Sequence, residues 1–252
     1  MNFTLTQYSQ FLRKIKESKL IPITFKEYFS LKNPKNFLII RHDIDRKPKN
    51  ALEMAKLEKK YQIKCVYYFR TKKNSLDPKI IKQITKMGHE IGYHYECLSD
   101  TNGNVVNAIK LFQKNLEKLR KITNIYTISM HGRPFSKWDN RLIWEKPKNH
   151  QLIKNNLKLL GEVYLDINYK DIFYITDSGR NFSNKFNKRD KVNSKIKTSI
   201  NNFSQLLKVI NNKNYPKIII SFHPERWTNN PVKWIIQFLK DQLINISKAI
   251  IK

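Results

Sequence analysis

The chain has 252 residues and a formal net charge of +29 at pH 7, from 49 basic and 20 acidic residues. Lys is scattered over nearly every segment, without a compact basic block or a recognisable nucleic-acid-binding motif, so we expect a solvated basic surface and no specific nucleic-acid partner. The chain has only two cysteines, Cys65 and Cys97, which argues against a disulfide scaffold. It has no apolar run of roughly eighteen residues, as a transmembrane segment needs, and no apolar core of a signal peptide. We therefore expect a cytoplasmic protein.

Apolar spacing and helix-capping residues predict alternating helices and strands. In the first half these are a helix in Thr4–Leu20, a strand at Phe37–Arg41, a helix from Pro48 to Tyr61, a strand at Ile63–Phe69, a helix from Asp77 to Gly88 and a strand at Glu90–His94. In the second half they are a helix at Asn104–Arg120, a strand at Tyr126–Met130, a loop and helix in Phe135–Asn156, strands at Glu162–Ile167 and Ile172–Thr176, a mobile loop over Asn181–Asn202, a helix at Phe203–Ile210, a strand at Lys217–Phe222 and a helix from Pro231. The residues expected to face inward in that last helix are Val232, Ile235, Phe238, Leu239 and Leu243.

This alternation predicts a parallel sheet covered by helices. We expect a distorted, TIM-like (β/α) barrel of seven or eight strands. Residues 1–252 should form one domain, with residues 1–30 as a helical segment packed on the barrel.

Ionisable residues stand at the ends of several predicted strands. They are Asp43 and Asp45, His94, His131, Asp177 and His223. The carboxyl ends of barrel strands meet on one face, where catalytic groups from different strands gather. The sequence therefore predicts a functional site at that face.

The carboxylates Asp43 and Asp45 are separated by one residue and share a side of an extended chain. One can hold a divalent metal while the other takes a proton from metal-bound water. Alternatively, both cap the helix that begins near Pro48.

The histidines also allow two interpretations each. His94 is either a metal ligand at a strand end or a structural histidine, and His223 is either a general acid or a core histidine. The segment from His131 to Pro134 offers an imidazole as a second ligand and, in Arg133, a guanidinium that can orient a carboxylate or an anionic substrate, or else it is a tight turn. Tyr95 and Trp227 can stack on a sugar ring, although surface or core packing is the commoner role of such residues.

From Phe37 to Leu239 the chain resembles the polysaccharide deacetylase (NodB-homology) family, the fourth family of carbohydrate esterases. Its first motif, two Asp at a strand end, is similar to His42-Asp43-Ile44-Asp45, and the spacing to Cys65–Phe69 makes Asp45 resemble the metal ligand and Asp43 the base. Its second motif is similar to the segment from Gly88 to His94, with His94 as a ligand. The family's next histidine is Leu98 here. His131, Asp43, Glu96 or Cys97 can complete the metal site, and we favour His131.

The other motifs are resembled in order. Arg133-Pro134-Phe135 is similar to the third motif, in which the Arg orients the base. The segment from Asp177 to Phe182 echoes the fourth, and the strand from Ile218 to His223 matches the fifth, which ends in the acid histidine.

The resemblance implies a hydrolase that uses a divalent metal, expected to be Zn²⁺, to remove an N-acyl, expected N-acetyl, group from an amino sugar in glycan biosynthesis. The expected cytoplasmic location suits a nucleotide- or lipid-linked sugar as the substrate better than mature cell wall. Asp43, His223, Arg133 and Asp177 are the predicted catalytic residues, Asp45, His94 and His131 the metal ligands, and Tyr95, Glu96 and Trp227 the substrate contacts. The alternatives are a catalytically impaired barrel that binds a glycan or glycan carrier, and a nucleic-acid-binding protein suggested by charge alone.

Overall fold

The computed structural model describes residues 2–31, 34–183, 187–196 and 199–250. Its strands are β1 (Ile21–Pro22), β2 (Phe37–Ile44), β3 (Val66–Phe69), β4 (Glu90–Tyr95), β5 (Thr127–Met130), β6 (Gly161–Glu162), β7 (Phe173–Thr176) and β8 (Lys217–Phe222). Its helices are α1 (Leu5–Glu17), α2 (Phe25–Ser30), α3 (Pro48–Lys60), α4 (Pro78–Lys86), α5 (Cys97–Asp100), α6 (Val105–Arg120), α7 (Pro147–Asn155), α8 (Phe203–Ile210) and α9 (Pro231–Ile250), with 3₁₀ turns at Asn140–Trp144 and Pro224–Arg226.

All strand pairs are parallel, and the sheet order is β6-β5-β4-β3-β2-β8-β7. The sheet is a curled half-barrel with flanking helices, and within the described ranges β6 and β7 do not pair to close it. The prediction of a distorted (β/α) barrel with seven or eight strands is confirmed.

Strand β2 lies at the centre of this sheet, and every one of its residues is buried. Its neighbour β3 pairs only with Arg41–Ile44, while β8 covers the other side from Phe37 to His42. The edge left open at Phe37 and Leu38 is taken by β1. Residues 1–30, predicted to be helical, therefore also supply a short strand.

The helix starts follow the capping signals in the sequence. Thr4 and Gln7 form a capping box at α1, and the Asp77 carboxylate caps α4 ahead of Pro78. Gly88 ends that helical segment with a φ of +93°, a left-handed conformation that glycine adopts without a Cβ clash.

The strand predicted at Glu162–Ile167 is wrong beyond Glu162. The buried Glu162 carboxylate accepts the backbone N–H groups of Met130, Tyr164 and Leu165, which turns the chain directly after β6. A side chain that satisfies backbone donors in this way competes with continued strand pairing.

The predicted inward face of the last helix is also wrong. Val232 and Leu243 are 63% and 66% exposed, whereas the buried residues of α9 are Gln237, Asp241, Asn245 and Lys248. Asp241 pairs with Arg180 at 3.1 Å, Gln237 accepts from Lys47 at 2.6 Å, and Asn245 donates to the Gly179 carbonyl at 2.9 Å. These polar contacts hold the opposite face of α9 against the barrel.

The loop predicted over Asn181–Asn202 is described for residues 181–183, 187–196 and 199–202, where the chain forms no helix or strand. Residues 184–186 and 197–198 of that prediction lie outside the described residues. None of the described helices combines the length and apolar character needed to cross a membrane.

Candidate active site

A cleft of about 230 Å³ opens at the carboxyl ends of the strands. It is lined by residues that follow or end β2, β4, β5 and β8, by the loop after β7 and by the polar face of α9. Asp43, Asp45, His94, His131 and His223 all reach it. The structure therefore brings together groups that lie up to 180 positions apart in the sequence, from Asp43 to His223.

Three of these residues form a compact group. The Asp45 Oδ1 atom lies 3.5 Å from His94 Nε2 and 3.4 Å from His131 Nε2, and all three donor atoms lie within 4.8 Å of one another. Oδ1 is buried and accepts no well-formed hydrogen bond from the described residues. An unsatisfied buried carboxylate oxygen between two imidazoles is chemically suited to a cation.

Both imidazoles are oriented by a partner on their other nitrogen. His94 Nδ1 donates to the Ser129 carbonyl at 3.0 Å, and His131 Nδ1 donates to Glu96 at 3.1 Å. These partners only accept, so the Nε2 atom of each ring faces Asp45 and can offer its lone pair to a cation once it carries no proton. Two nitrogens and one oxygen with open coordination positions fit a catalytic divalent cation such as zinc.

The charges around His131 reinforce this arrangement. Burial would raise the pKa of Glu96, but hydrogen bonding and charge from His131 and Arg70 outweigh it and lower that pKa to about 2. Burial would lower the pKa of His131, but Asp45 and Glu96 raise it to about 9. Without a cation, a proton therefore holds the position that a metal would take.

The second carboxylate, Asp43, is held by a buried guanidinium. Arg41 Nε and Nη2 donate to Oδ1 and Oδ2 of Asp43 at 2.7 and 2.6 Å. Burial alone would raise the pKa of Asp43, but Arg41, followed by His94, outweighs it and holds that pKa below its usual value. Asp43 is thus ionised, oriented and 3.8 Å from His94 Nε2.

A third cluster forms around Asp177 at the end of β7. His223 Nδ1 donates to Asp177 Oδ1 at 2.6 Å, Arg226 Nη1 donates to the same oxygen at 2.7 Å, and Trp227 Nε1 donates to Oδ2 at 2.9 Å. Burial and Arg226 would lower the pKa of His223, but Asp177 raises it above its ordinary value. Asp177 therefore favours the protonated form of the His223 imidazole, which can act as an acid through Nε2.

Four predicted roles do not match the positions of the residues. Arg133 pairs with Asp100 at 2.6 Å and Arg41 holds Asp43 instead. Glu96 is engaged with His131 and Arg70 rather than open to substrate. Tyr95 and Trp227 are 0% and 1% exposed and pack in the core, so neither can stack on a bound sugar.

Sequence reasoning missed Arg41 and the cleft-facing side of α9, which contributes Asp241, Asn245 and Lys248. Arg41 carried a usable signal: an Arg inside an apolar strand needs a buried partner, and Asp43 two residues later shares its face. The α9 residues carried none, because their partners lie far away in the sequence.

A second group with metal-binding side chains is formed by His42, Glu58 and Cys65, all buried. Its carboxylate already accepts hydrogen bonds from the Tyr8 and Tyr67 hydroxyls and lies 2.6 Å from His42 Nε2. We interpret this group as a buried polar network that fixes α1, α3 and β2 together.

No protein-family profile matches this sequence, and no curated protein does. Among solved structures, the chain is similar to BA3943, described as a CE4 family pseudoenzyme from Bacillus anthracis, with 12% identity, a TM-score of 0.47 and 84% of this chain covered. A BA3943 mutant described as a pseudoenzyme with restored enzymatic activity gives the same identity and TM-score. This chain covers 62% and 64% of the length of those two chains. The fold and site together define a parallel (β/α) half-barrel with a candidate Asp-His-His metal centre.

Proposed function

We propose that this protein is a metal-dependent hydrolase that removes an N-acyl group, expected to be N-acetyl, from an amino sugar or sugar conjugate in glycan biosynthesis. One observation carries the proposal: the Asp45-His94-His131 group lies in the same cleft as the Arg41-bound Asp43 and the Asp177-bound His223. A cation site, an ionised carboxylate and an imidazole that can donate a proton are groups that metal-dependent amide hydrolysis uses.

Asp45, His94 and His131 would hold the divalent cation, for which zinc is our proposal because two imidazoles and a carboxylate suit it. When bound, such a cation supplies Lewis acidity for a carbonyl oxygen and for water. Asp43 then accepts the proton of the attacking water. His223 Nε2 donates a proton to the departing amine, and Asp177 stabilises the imidazolium before that transfer.

Cationic side chains also line the cleft, and they would attract a substrate that bears phosphate. They are Arg46, Arg70, Arg133, Lys188, Arg189, Arg226 and Lys248, of which Arg70, Arg133 and Arg226 pair with the carboxylates of Glu96, Asp100 and Asp177. A nucleotide- or lipid-linked amino sugar has this chemistry. A substrate of this kind fits the cytoplasmic location that we propose for the protein.

The second candidate function is a catalytically impaired barrel that binds a glycan or its carrier. It is favoured by the double hydrogen bond from Arg41, because a carboxylate whose pKa is lowered is a weaker base. Leu98 also occupies the place of a histidine ligand in the family that the sequence resembles, and it is buried in the core at 2% exposure.

The proposal is tested by measuring acetate release. The zinc-loaded protein is incubated with a panel of N-acetylated sugars that are nucleotide- or lipid-linked. We expect release by the wild type and loss of release in Asp43→Asn, with Asp100→Asn as the matched control outside the metal group. Tight binding of a conjugate without acetate release would instead establish the binding function. No release and no binding by the zinc-loaded wild type would refute both.

A further inference from the structure

Helix α9 has a polar face and an apolar face, and its polar face is the one that is buried. Its polar residues contact the barrel and the cleft, while seven aliphatic residues on the other face are 47–77% exposed. These residues, which we call the α9 stripe, are Val232, Ile235, Ile236, Leu239, Leu243, Ile246 and Ile250. An apolar surface of this size on a folded chain indicates an interaction site.

The spacing in the α9 stripe is that of a coiled coil. From Val232 to Ile250 its main positions advance by 4, 3, 4, 3 and 4 residues, which places Ile236, Leu243 and Ile250 at a positions and Val232, Leu239 and Ile246 at d positions. Ile235 lies beside them at a g position. On a helix of 3.6 residues per turn, such a strict seven-residue repeat follows a left-handed path around a second helix.

We propose that a second copy of this chain packs its own α9 stripe against this one, forming a parallel two-helix coiled coil. The 20-residue helix is about 30 Å long. At the exposures above, the stripe offers roughly 600–700 Å² per chain, close to the roughly 800 Å² per partner in a standard interface. The barrels lie on the outer sides of the helix pair, because each α9 contacts its own barrel through the face opposite the stripe.

The charges on α9 favour a second copy of this helix over a membrane surface, and a parallel pair over an antiparallel one. A helix that lies on a membrane surface presents a polar face rich in Lys and Arg. The polar face of α9 is instead buried, and the exposed cations beside the stripe are Lys233 and Lys240, both at e positions. In a parallel pair, Lys240 meets the uncharged Ile235 of the other copy, whereas an antiparallel pair would bring Lys240 against its own counterpart.

The coiled coil would also support the cleft. Asp241, Asn245 and Lys248 line the cleft from the buried side of α9, directly behind the stripe. A partner helix would hold that wall in place without supplying any residue to the cleft, so the inference does not depend on the proposed hydrolase activity.

The test is the molar mass of the full chain in solution by light scattering and sedimentation equilibrium. We expect a dimer for the wild type and a monomer for the double variant Leu239→Gln/Leu243→Gln, with unchanged circular dichroism because both side chains are exposed. Val106→Gln, at a residue 64% exposed on α6, is the matched control and should remain a dimer. Oxidised Leu239→Cys should form a covalent dimer by itself, since a parallel pair brings equivalent d positions together.

A wild type that stays monomeric up to high micromolar concentration would overturn the proposal, as would a double variant that is as dimeric as the wild type. A monomer that sediments with phosphatidylglycerol vesicles but not with phosphatidylcholine vesicles, and loses this in the double variant, would overturn it in favour of a membrane surface. A dimer that Leu239→Cys does not cross-link would overturn the parallel arrangement.

Discussion

Glu96 allows the metal centre to be tested without any assumption about the substrate. Its carboxylate accepts the Nδ1–H of His131 at 3.1 Å and is itself held by Arg70 at 2.6 Å. This contact fixes the tautomer that leaves Nε2 free and makes the ring a stronger donor to a cation. Glu96→Gln keeps the shape of the side chain but removes its charge and introduces an amide N–H₂ that cannot accept a hydrogen bond.

We expect Glu96→Gln to weaken zinc binding about 10–100-fold, the range found for outer-shell partners of zinc-bound histidines. This corresponds to about 1.4–2.7 kcal/mol of binding free energy. The measurement is a competitive titration against a chromophoric chelator, repeated at several pH values. The repetition is needed because a proton competes for His131, whose pKa is about 9 without a cation.

The control is Asp100→Asn. Asp100 is a nearby carboxylate that pairs with Arg133 and Lys72 rather than with His131. It should leave the zinc affinity unchanged. Our interpretation of the metal group would be refuted if Glu96→Gln bound zinc as tightly as the wild type, or if Asp100→Asn weakened binding equally.

The charged clusters also control metal binding, the pH dependence of catalysis and stability. The apparent zinc affinity of the wild type should rise with pH up to about 9, as His131 loses its proton, and a pH-independent affinity in titrations would contradict this. Asp177→Asn should move the alkaline limb of the pH–rate profile to lower pH. The acid form of His223 is lost as pH rises through its pKa, and Asp177 raises that pKa. An unmoved limb would argue against His223 as the acid. Glu58→Ala should lower the free energy of unfolding in urea by about 3–5 kcal/mol, because Tyr8, Tyr67 and His42 lose their buried partner. Glu53→Ala, on the exposed side of α3, should change it little. Equally small effects of the two substitutions would contradict the buried network.

The strands and their ends were predictable because the signals are local. A buried parallel strand is a continuous apolar run, so β2 and β8 stand out, and the ionisable residues that follow them mark the functional edge. Parallel topology then brings Asp45, His94 and His131 to one place without any knowledge of side-chain contacts.

The failures arose where a distant partner decides the role of a side chain. Arg133 is predicted to orient the base, but it pairs with Asp100, and Arg41 holds Asp43 instead. Tyr95 and Trp227 follow the site residues His94 and His223 closely in the sequence, but their rings pack into the core. Local patterns give the position of such residues along the chain, and packing decides which way they face.

The last helix shows the same limit on a larger scale. Its amphipathic pattern is clear in the sequence, and the usual rule places the apolar face inward. Here Asp241 meets the buried Arg180 and lies 3.8 Å from Arg226, and these charge contacts fix the polar face toward the barrel. The sequence reveals that α9 has two faces, whereas only the tertiary partners decide which face is buried.

The central claim, one divalent cation held by Asp45, His94 and His131, is tested most directly by X-ray absorption at the zinc edge of the stoichiometrically loaded protein. We predict only nitrogen and oxygen ligands, at about 2.0–2.2 Å, with an imidazole contribution that falls from two rings to one in His94→Ala. A sulfur ligand at about 2.3 Å would mean that Cys65 or Cys97 binds the metal and would contradict the claim, as would the absence of stoichiometric binding.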